Sequence, residues 1–239
     1  MLTIRRAGDR GQADLGWLKS QHTFSFASYY DPQHMGVSAL RVINEDRVTP
    51  SSGFDTHGHK DMEIISYVIS GTIAHKDSNG NVKTLPAGEF QLMSAGSGIF
   101  HSEYNASNHE PLHFLQIWIK PDTVGGPAGY QQKAFEQTAP LTPVITADGA
   151  NGTLKIKQDA SVLRLMLASS QAEMVTLNPQ RTQFIHVIEG ELQLVVAGDD
   201  TQREVITLTP GDAVHIADIA QIQLSANQSP VNALVFDLP

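Results

Sequence analysis

Short runs of apolar, β-branched and aromatic residues recur along the chain, each closed off by residues that favour turns. Ser38–Ile43, Glu63–Ile69, Phe90–Met93, Phe114–Ile119, Leu163–Leu167, Phe184–Ile188, Leu192–Val196 and Leu234–Leu238 read as strands. Ser70-Gly71, Asn79-Gly80, Pro86-Ala87-Gly88, Glu189-Gly190, Ala197-Gly198-Asp199 and Pro210-Gly211 separate them. No long window carries a clean helical period, and a short helix is expected only within Ala128–Gln137. Many short strands at this spacing predict an all-β sandwich or barrel.

The pattern occurs twice. Ile64–Gly71 is followed by Thr72-Ile73-Ala74 and later by Leu85-Pro86-Ala87-Gly88-Glu89; Phe184–Gly190 is followed by Glu191-Leu192-Gln193 and later by Leu208-Thr209-Pro210-Gly211-Asp212. A strand ending in glycine, a hairpin and a Pro/Gly turn before the next strand form one unit used twice, which predicts two tandem β-barrels. Between the halves, Lys120–Gly152 is rich in Pro, Gly, Thr and Ala and lacks an apolar period, so it reads as a connection. The expected division is an N-terminal barrel over 1–125, a linker over 126–150 and a C-terminal barrel over 151–239.

Composition narrows the functional classes. Charged residues make up 17% of the 239, against about 25% in an average soluble protein. Sixteen Lys+Arg against 25 Asp+Glu leave a net charge of −9. That sign, with no basic cluster, argues against direct nucleic-acid binding. There are no cysteines, which removes disulfides, thiolate metal sites and cysteine nucleophiles together. No apolar run approaches the ~20 residues that span a bilayer, and the first residues form no apolar signal segment. The expectation is a soluble, cytoplasmic protein without a membrane partner.

The ten histidines are the compositional oddity. His57 and His59 stand at i, i+2 after Gly53, and His101 and Glu103 stand at i, i+2 after Gly96-Ser97-Gly98. On strands, that spacing puts both members of each pair on one face. Two neighbouring strands would then offer three imidazoles and one carboxylate to a single point, a donor set suited to iron, nickel, copper or zinc. His22, His34, His75, His109, His113, His186 and His215 lack such a partner and read as ordinary surface or core residues.

Gly53–Gly71 resembles the first motif of the cupins, and Gly96–Asn105 the second. The run His22–Val42, the tetrad Lys60-Asp61-Met62-Glu63, the pentad His101-Ser102-Glu103-Tyr104-Asn105 and Leu115-Gln116-Ile117-Trp118 together resemble the pirin family. The resemblance covers roughly Ile4 to Ile119 closely, and the second half in architecture only. It implies two jelly-roll cupin barrels with few short helices and one metal, in the N-terminal barrel, held by His57, His59, His101 and Glu103. Iron(II) is the expected ion; copper, nickel, zinc and manganese also suit the donors. Other cupins take their carboxylate from the first motif, where Glu63 stands; the resemblance ranks Glu103 as the ligand and Glu63 as a supporting group.

The resemblance further implies quercetin 2,3-dioxygenase activity. A flavonol-like substrate would be opened with O2 and carbon monoxide released, with Glu103 as both ligand and general base. Phe54, Met93 and Phe100 are candidates for lining the substrate pocket. The alternative is a non-enzymatic, metal-binding regulator acting through a protein partner, for which the acidic isoelectric point of about 5.5 favours protein over DNA contacts. Matching Gly71 with Gly190 sets Thr176, Asn178 and Thr182 opposite His57, His59 and Glu63, so the second barrel is expected to hold no metal.

Overall fold

The computed structural model describes residues 1–196 and 205–239; the turn expected at Ala197-Gly198-Asp199 lies outside them. Each of the eight expected runs lies in or overlaps a strand. Among the described residues helix is confined to two short 3-10 turns, Ala7–Asp9 and Ala150–Gly152. The chain divides into two compact units. The N-terminal unit comprises Arg10–Phe135 and Ala147–Asp159, and the C-terminal unit comprises Met1–Asp9, Glu136–Thr146 and Ala160–Pro239.

In the N-terminal unit a seven-stranded sheet runs in the order Gly129–Ala134, Glu89–Ser94, Glu63–Ser70, Leu112–Ile119, Leu40–Val48, Leu18–His22, Gly11–Asp14. A second sheet runs Gly53–His59, Ile99–Asn105, Thr72–Asp77, Val82–Pro86. Strands of the smaller sheet, such as Thr72–Asp77 and Ile99–Asn105, alternate buried with more exposed positions, while the central strands of the larger sheet, such as Glu63–Ser70, are buried on both faces. The buried side chains include Leu18, Val48, Val68, Ile73, Leu85, Leu112 and Phe114, with a second cluster of Ile64, Met93, Ala95 and Ile99.

The C-terminal unit repeats this order. Ala213–Ile216, Thr182–Glu189, Val231–Leu238, Ser161–Leu167 and Leu141–Thr146 lie side by side. Ala172–Thr176, Gln221–Ala226, Leu192–Val196 and Val205–Leu208 form the other sheet. The duplication extends to the turns. Gly71 and Gly190 both hold a left-handed φ, 84° and 78°. A Cβ on Gly71 would meet the carbonyl oxygen of Pro111 at 2.9 Å, and one on Gly190 that of Pro230 at 2.1 Å. Only glycine combines that backbone with that approach.

The expected linker is corrected by the structure, because it supplies one strand to each unit. Gly129–Ala134 is a strand paired with Glu89–Ser94, not part of a helix. Leu141–Thr146 pairs with Ser161–Leu167, and Leu2–Arg5, expected in the first barrel, pairs with Ala213–Ile216 of the C-terminal unit. Edge strands carry little apolar signal since they are only half covered. Gly129–Ala134 contains no fully buried residue. Its polar side chains fix it instead: Gln132 Nε2 donates to the Thr84 carbonyl at 2.8 Å, and Gln131 Nε2 to that of Lys155 at 2.9 Å.

Candidate metal centre

The site is assembled by three neighbouring strands of the smaller N-terminal sheet. Ile99–Asn105 is central and pairs His101 with His57 and Ile99 with His59 on one side. On its other side it pairs His101 with Asp77 and Glu103 with His75. The alternation of strand side chains therefore turns His57, His59, His101, Glu103 and His75 to the same face. A bulge interrupts the first pairing, so that Glu103 faces Phe54. The extra residue restores inward facing to Phe54, which packs on Trp17 and sits 6.4 Å, ring to ring, from His57. The Tyr104 hydroxyl donates to the Asp55 carboxylate within the bulge.

Ring centroids of His57, His59 and His101 are 4.5–4.8 Å apart, and one nitrogen from each lies within 4.8 Å of the others. His57 Nδ1 donates to the Asp55 carbonyl at 2.7 Å, which leaves the Nε2 lone pair free for a ligand role. His59 Nε2 and both nitrogens of His101 are buried without a hydrogen-bond partner. Burial, with the neighbouring imidazoles, holds the His59 pKa down at about 4 and that of His101 at about 3. Both rings are thus neutral at physiological pH, the form that binds metal. Buried, partnerless imidazole nitrogens are costly, and a divalent ion would satisfy them. The donor set fits one.

A second, overlapping group shares His101. One donor atom each of His75, His101 and Glu103 also lie within 4.8 Å of one another. Ser66 Oγ donates to Glu103 Oε1 at 3.1 Å and Gln116 Nε2 to Oε2 at 2.7 Å. Trp118 Nε1 donates in turn to Gln116 Oε1 at 3.2 Å. His75 is fully buried, 3.1 Å from the Asp77 carboxylate through Nε2, with its ring 5.4 Å from that of His101. Spacing alone makes His75 an ordinary residue, and its place beside the site is a correction. A His-x-Asp pair at i, i+2, four residues after the Ser70-Gly71 turn as His57 is four after Gly53, is the available signal.

Glu63 stands outside both groups. Its Oε2 accepts from Ser94 Oγ at 2.8 Å and from the Lys157 backbone N–H at 3.2 Å. Of the expected pocket residues, Phe100 is 60% exposed and faces away, and Met93 is buried among Ile64, Ala95 and Ile99. Strand parity accounts for Phe100, which is one residue out of phase with His101. Phe54 is joined instead by Trp118, whose ring stands edge-on 5.0 Å from His59, and by Phe26, 5.4 Å from Trp118. The remaining histidines have local partners or lie apart: His22 contacts Asn44, His34 Asp31 and His113 Glu45.

Both candidate groups belong to the N-terminal unit; among the described residues none forms in the other. Pairing registers give the counterparts. Asn105 pairs with Ile73 as Ala226 pairs with Leu192, and Glu103 with His75 as Leu224 with Leu194. Ile222, the counterpart of His101, pairs with Val175 as His101 pairs with His57. The positions of His57, His59, His75, His101 and Glu103 are therefore held by Val175, Leu177, Leu194, Ile222 and Leu224. The constant offset that pointed to Thr176 and Asn178 fails by one residue, because Thr182 follows Leu177 by five positions whereas Glu63 follows His59 by four.

Comparison with known proteins agrees with the division into two halves. A family model described as Pirin matches residues 3–119, and one described as Quercetinase C-terminal cupin domain matches 143–238. The chain is 43% identical, over its full length and 99% of the relative's, to a protein of Escherichia coli strain K12 named quercetin 2,3-dioxygenase. It is 41% identical, over all of both chains, to a putative quercetin 2,3-dioxygenase of Pasteurella multocida. The crystal structure of the bacterial pirin YhhW from Escherichia coli in complex with nickel(II) is 43% identical and superposes with a TM-score of 0.92, over 100% of this chain and 99% of that one. With that identity along its whole length and a bicupin architecture, the chain belongs to the pirin family.

Proposed function

We propose that this protein is a metal-dependent dioxygenase of the quercetin 2,3-dioxygenase type, opening the heterocyclic ring of a flavonol with O2 and releasing carbon monoxide. The observation that carries this reading is the cluster of His57 with the buried, partnerless imidazole nitrogens of His59 and His101 beside a buried carboxylate, in a chain 43% identical to a quercetin 2,3-dioxygenase. We assign the metal to His57, His59, His101 and Glu103, iron(II) being the ion we expect. Bound there, a divalent ion would act as a Lewis acid towards a deprotonated substrate hydroxyl and bring it together with dioxygen.

The chain's own residues supply positioning and proton transfer. Glu103 accepts the proton of the flavonol hydroxyl, the role of a general base. Gln116 and Ser66 hold its two oxygens, and Trp118 orients Gln116. Trp118, Phe26 and Phe54 offer an aromatic wall on which a flat substrate can lie, with His59 and His57 at its floor. We place the protein in the cytoplasm; no described helix is long and apolar enough to cross a membrane.

The test is aerobic incubation of protein loaded in turn with iron, copper, nickel and manganese with quercetin, following flavonol absorbance and carbon monoxide. Loss of the absorbance with release of carbon monoxide is expected. Unchanged absorbance with every metal would discard the enzyme reading in favour of a regulatory one.

A further inference from the structure

The C-terminal unit has a cavity of about 360 Å³ that borders the counterpart of the metal centre without including the positions of His75, His101 and Glu103. Val175 and Leu177, the counterparts of His57 and His59, form part of its wall. Leu163 and Val235 form another part; they pair with each other as Asn44 pairs with Gln116 in the first unit. The metal-site positions have thus become apolar, with Leu194, Ile222 and Leu224 packed into the core, while the cavity beside them keeps polar groups such as Asn178, Gln183 and Asp237.

One lining group points to a ligand. Gln183 is 2% exposed, and its Oε1 is buried without a partner. Its orientation is fixed by chemistry, because Nε2 faces two acceptors: Asp237 Oδ1 at 3.0 Å and the Asn178 carbonyl at 3.4 Å. The outstanding group is therefore an acceptor that requires a donor. Asp237 also lines the cavity and accepts from Arg181 Nε at 2.7 Å, while no Lys, Arg or His is among the lining residues. An anion would find no cation there. The volume lies at the lower end of small-molecule sites, roughly 300–1,000 Å³.

We propose that this cavity binds a neutral one- or two-ring aromatic compound carrying a single hydroxyl or N–H donor, its rings against Leu163, Val175, Leu177 and Val235 and its donor on Gln183 Oε1. This site is independent of the metal centre. Indole is the probe, and N-methylindole, which has the same rings without the donor, is its control. In calorimetry on the whole chain, indole should bind once and N-methylindole about tenfold more weakly, the value of one hydrogen bond. Methyl-detected NMR should place the shifts on Leu163, Val175, Leu177 and Val235. Binding should survive in His57→Ala/His101→Ala and be lost in Val175→Phe, which fills the cavity. Absence of saturable indole binding, equal affinity for the two probes, or shifts confined to the N-terminal unit would each overturn the proposal. The two-probe comparison in the unaltered protein stands even if Val175→Phe fails to fold.

Discussion

Glu103 and Glu63 are both buried carboxylates on strands, and their partners separate them. Glu103 lies beside His101, while Glu63 is occupied by Ser94 and the Lys157 backbone. Glu103→Gln keeps the size and a neutral oxygen but removes the charge and the proton-accepting ability. It should weaken metal binding and lower turnover by the ~10²–10⁴-fold of a lost general base. Glu63→Gln retains an acceptor for Ser94 and should cost no more than about tenfold. Turnover compared at equal metal occupancy decides; greater damage from Glu63→Gln would return the ligand role to the first motif.

A third carboxyl sets a pH dependence. Asp46 is buried, with Oδ1 unpartnered, and burial pushes its pKa up to about 7, Ser20 opposing the rise and Glu103 and Glu45 adding to it. A carboxyl whose pKa is raised on folding holds its proton longer in the native state than in the unfolded one. Its contribution to stability is thus lost as pH rises from about 4 to about 7. Asp46→Asn removes that loss. In urea unfolding of the metal-free protein, the variant's advantage should grow across this window, by up to about 4 kcal/mol, and then level off. An advantage independent of pH would show that folding leaves the Asp46 pKa unchanged.

At the scale of elements, the duplicated turn makes a graded prediction. Gly80 has φ 89° but open space where a Cβ would stand, whereas Gly190 has φ 78° and a carbonyl 2.1 Å from that point. Gly80→Ala should cost about 1 kcal/mol, the strain of the left-handed region alone. Gly190→Ala should cost well over twice that, since the Pro230 backbone must also move. Similar unfolding midpoints for the two variants would refute the steric account. The histidine strands obey the same logic of fixed geometry. The i, i+2 pairs were legible in the sequence because strand side chains alternate with a period of two. The bulge that turns Phe54 inward, and the pairing that sets His75 beside Glu103, were not legible, because both depend on a partner strand distant in the chain.

For the whole molecule, metal content and stability should be linked but separable from folding. Analysis of loaded protein should give one ion per chain, and His57→Ala/His101→Ala should bind none while keeping the far-ultraviolet spectrum of a β protein. The core built around Val68, Ile73 and Phe114, and that around Ile64 and Met93, do not involve the ligands, so the fold does not wait for the ion as a zinc finger does. Metal at a hundredfold excess over its dissociation constant should stabilise by about 2.7 kcal/mol through mass action. A melting temperature unmoved by metal would mean that no specific site forms.

The sequence by itself determined the all-β class, the duplication and the donors His57, His59, His101 and Glu103 as candidates. These rest on local rules: strand period, turn chemistry and the residue types a metal accepts. Tertiary structure alone decided that Leu2–Arg5 completes the later sheet and that the expected linker supplies a strand to each unit, because which sheet a strand joins is set by pairing partners distant in the chain. It also decided that Val175 and Leu177, not Thr176 and Asn178, replace the histidines. One extra loop residue reverses the facing of a whole strand, and only the register with Gln221–Ala226 reveals which face looks inward.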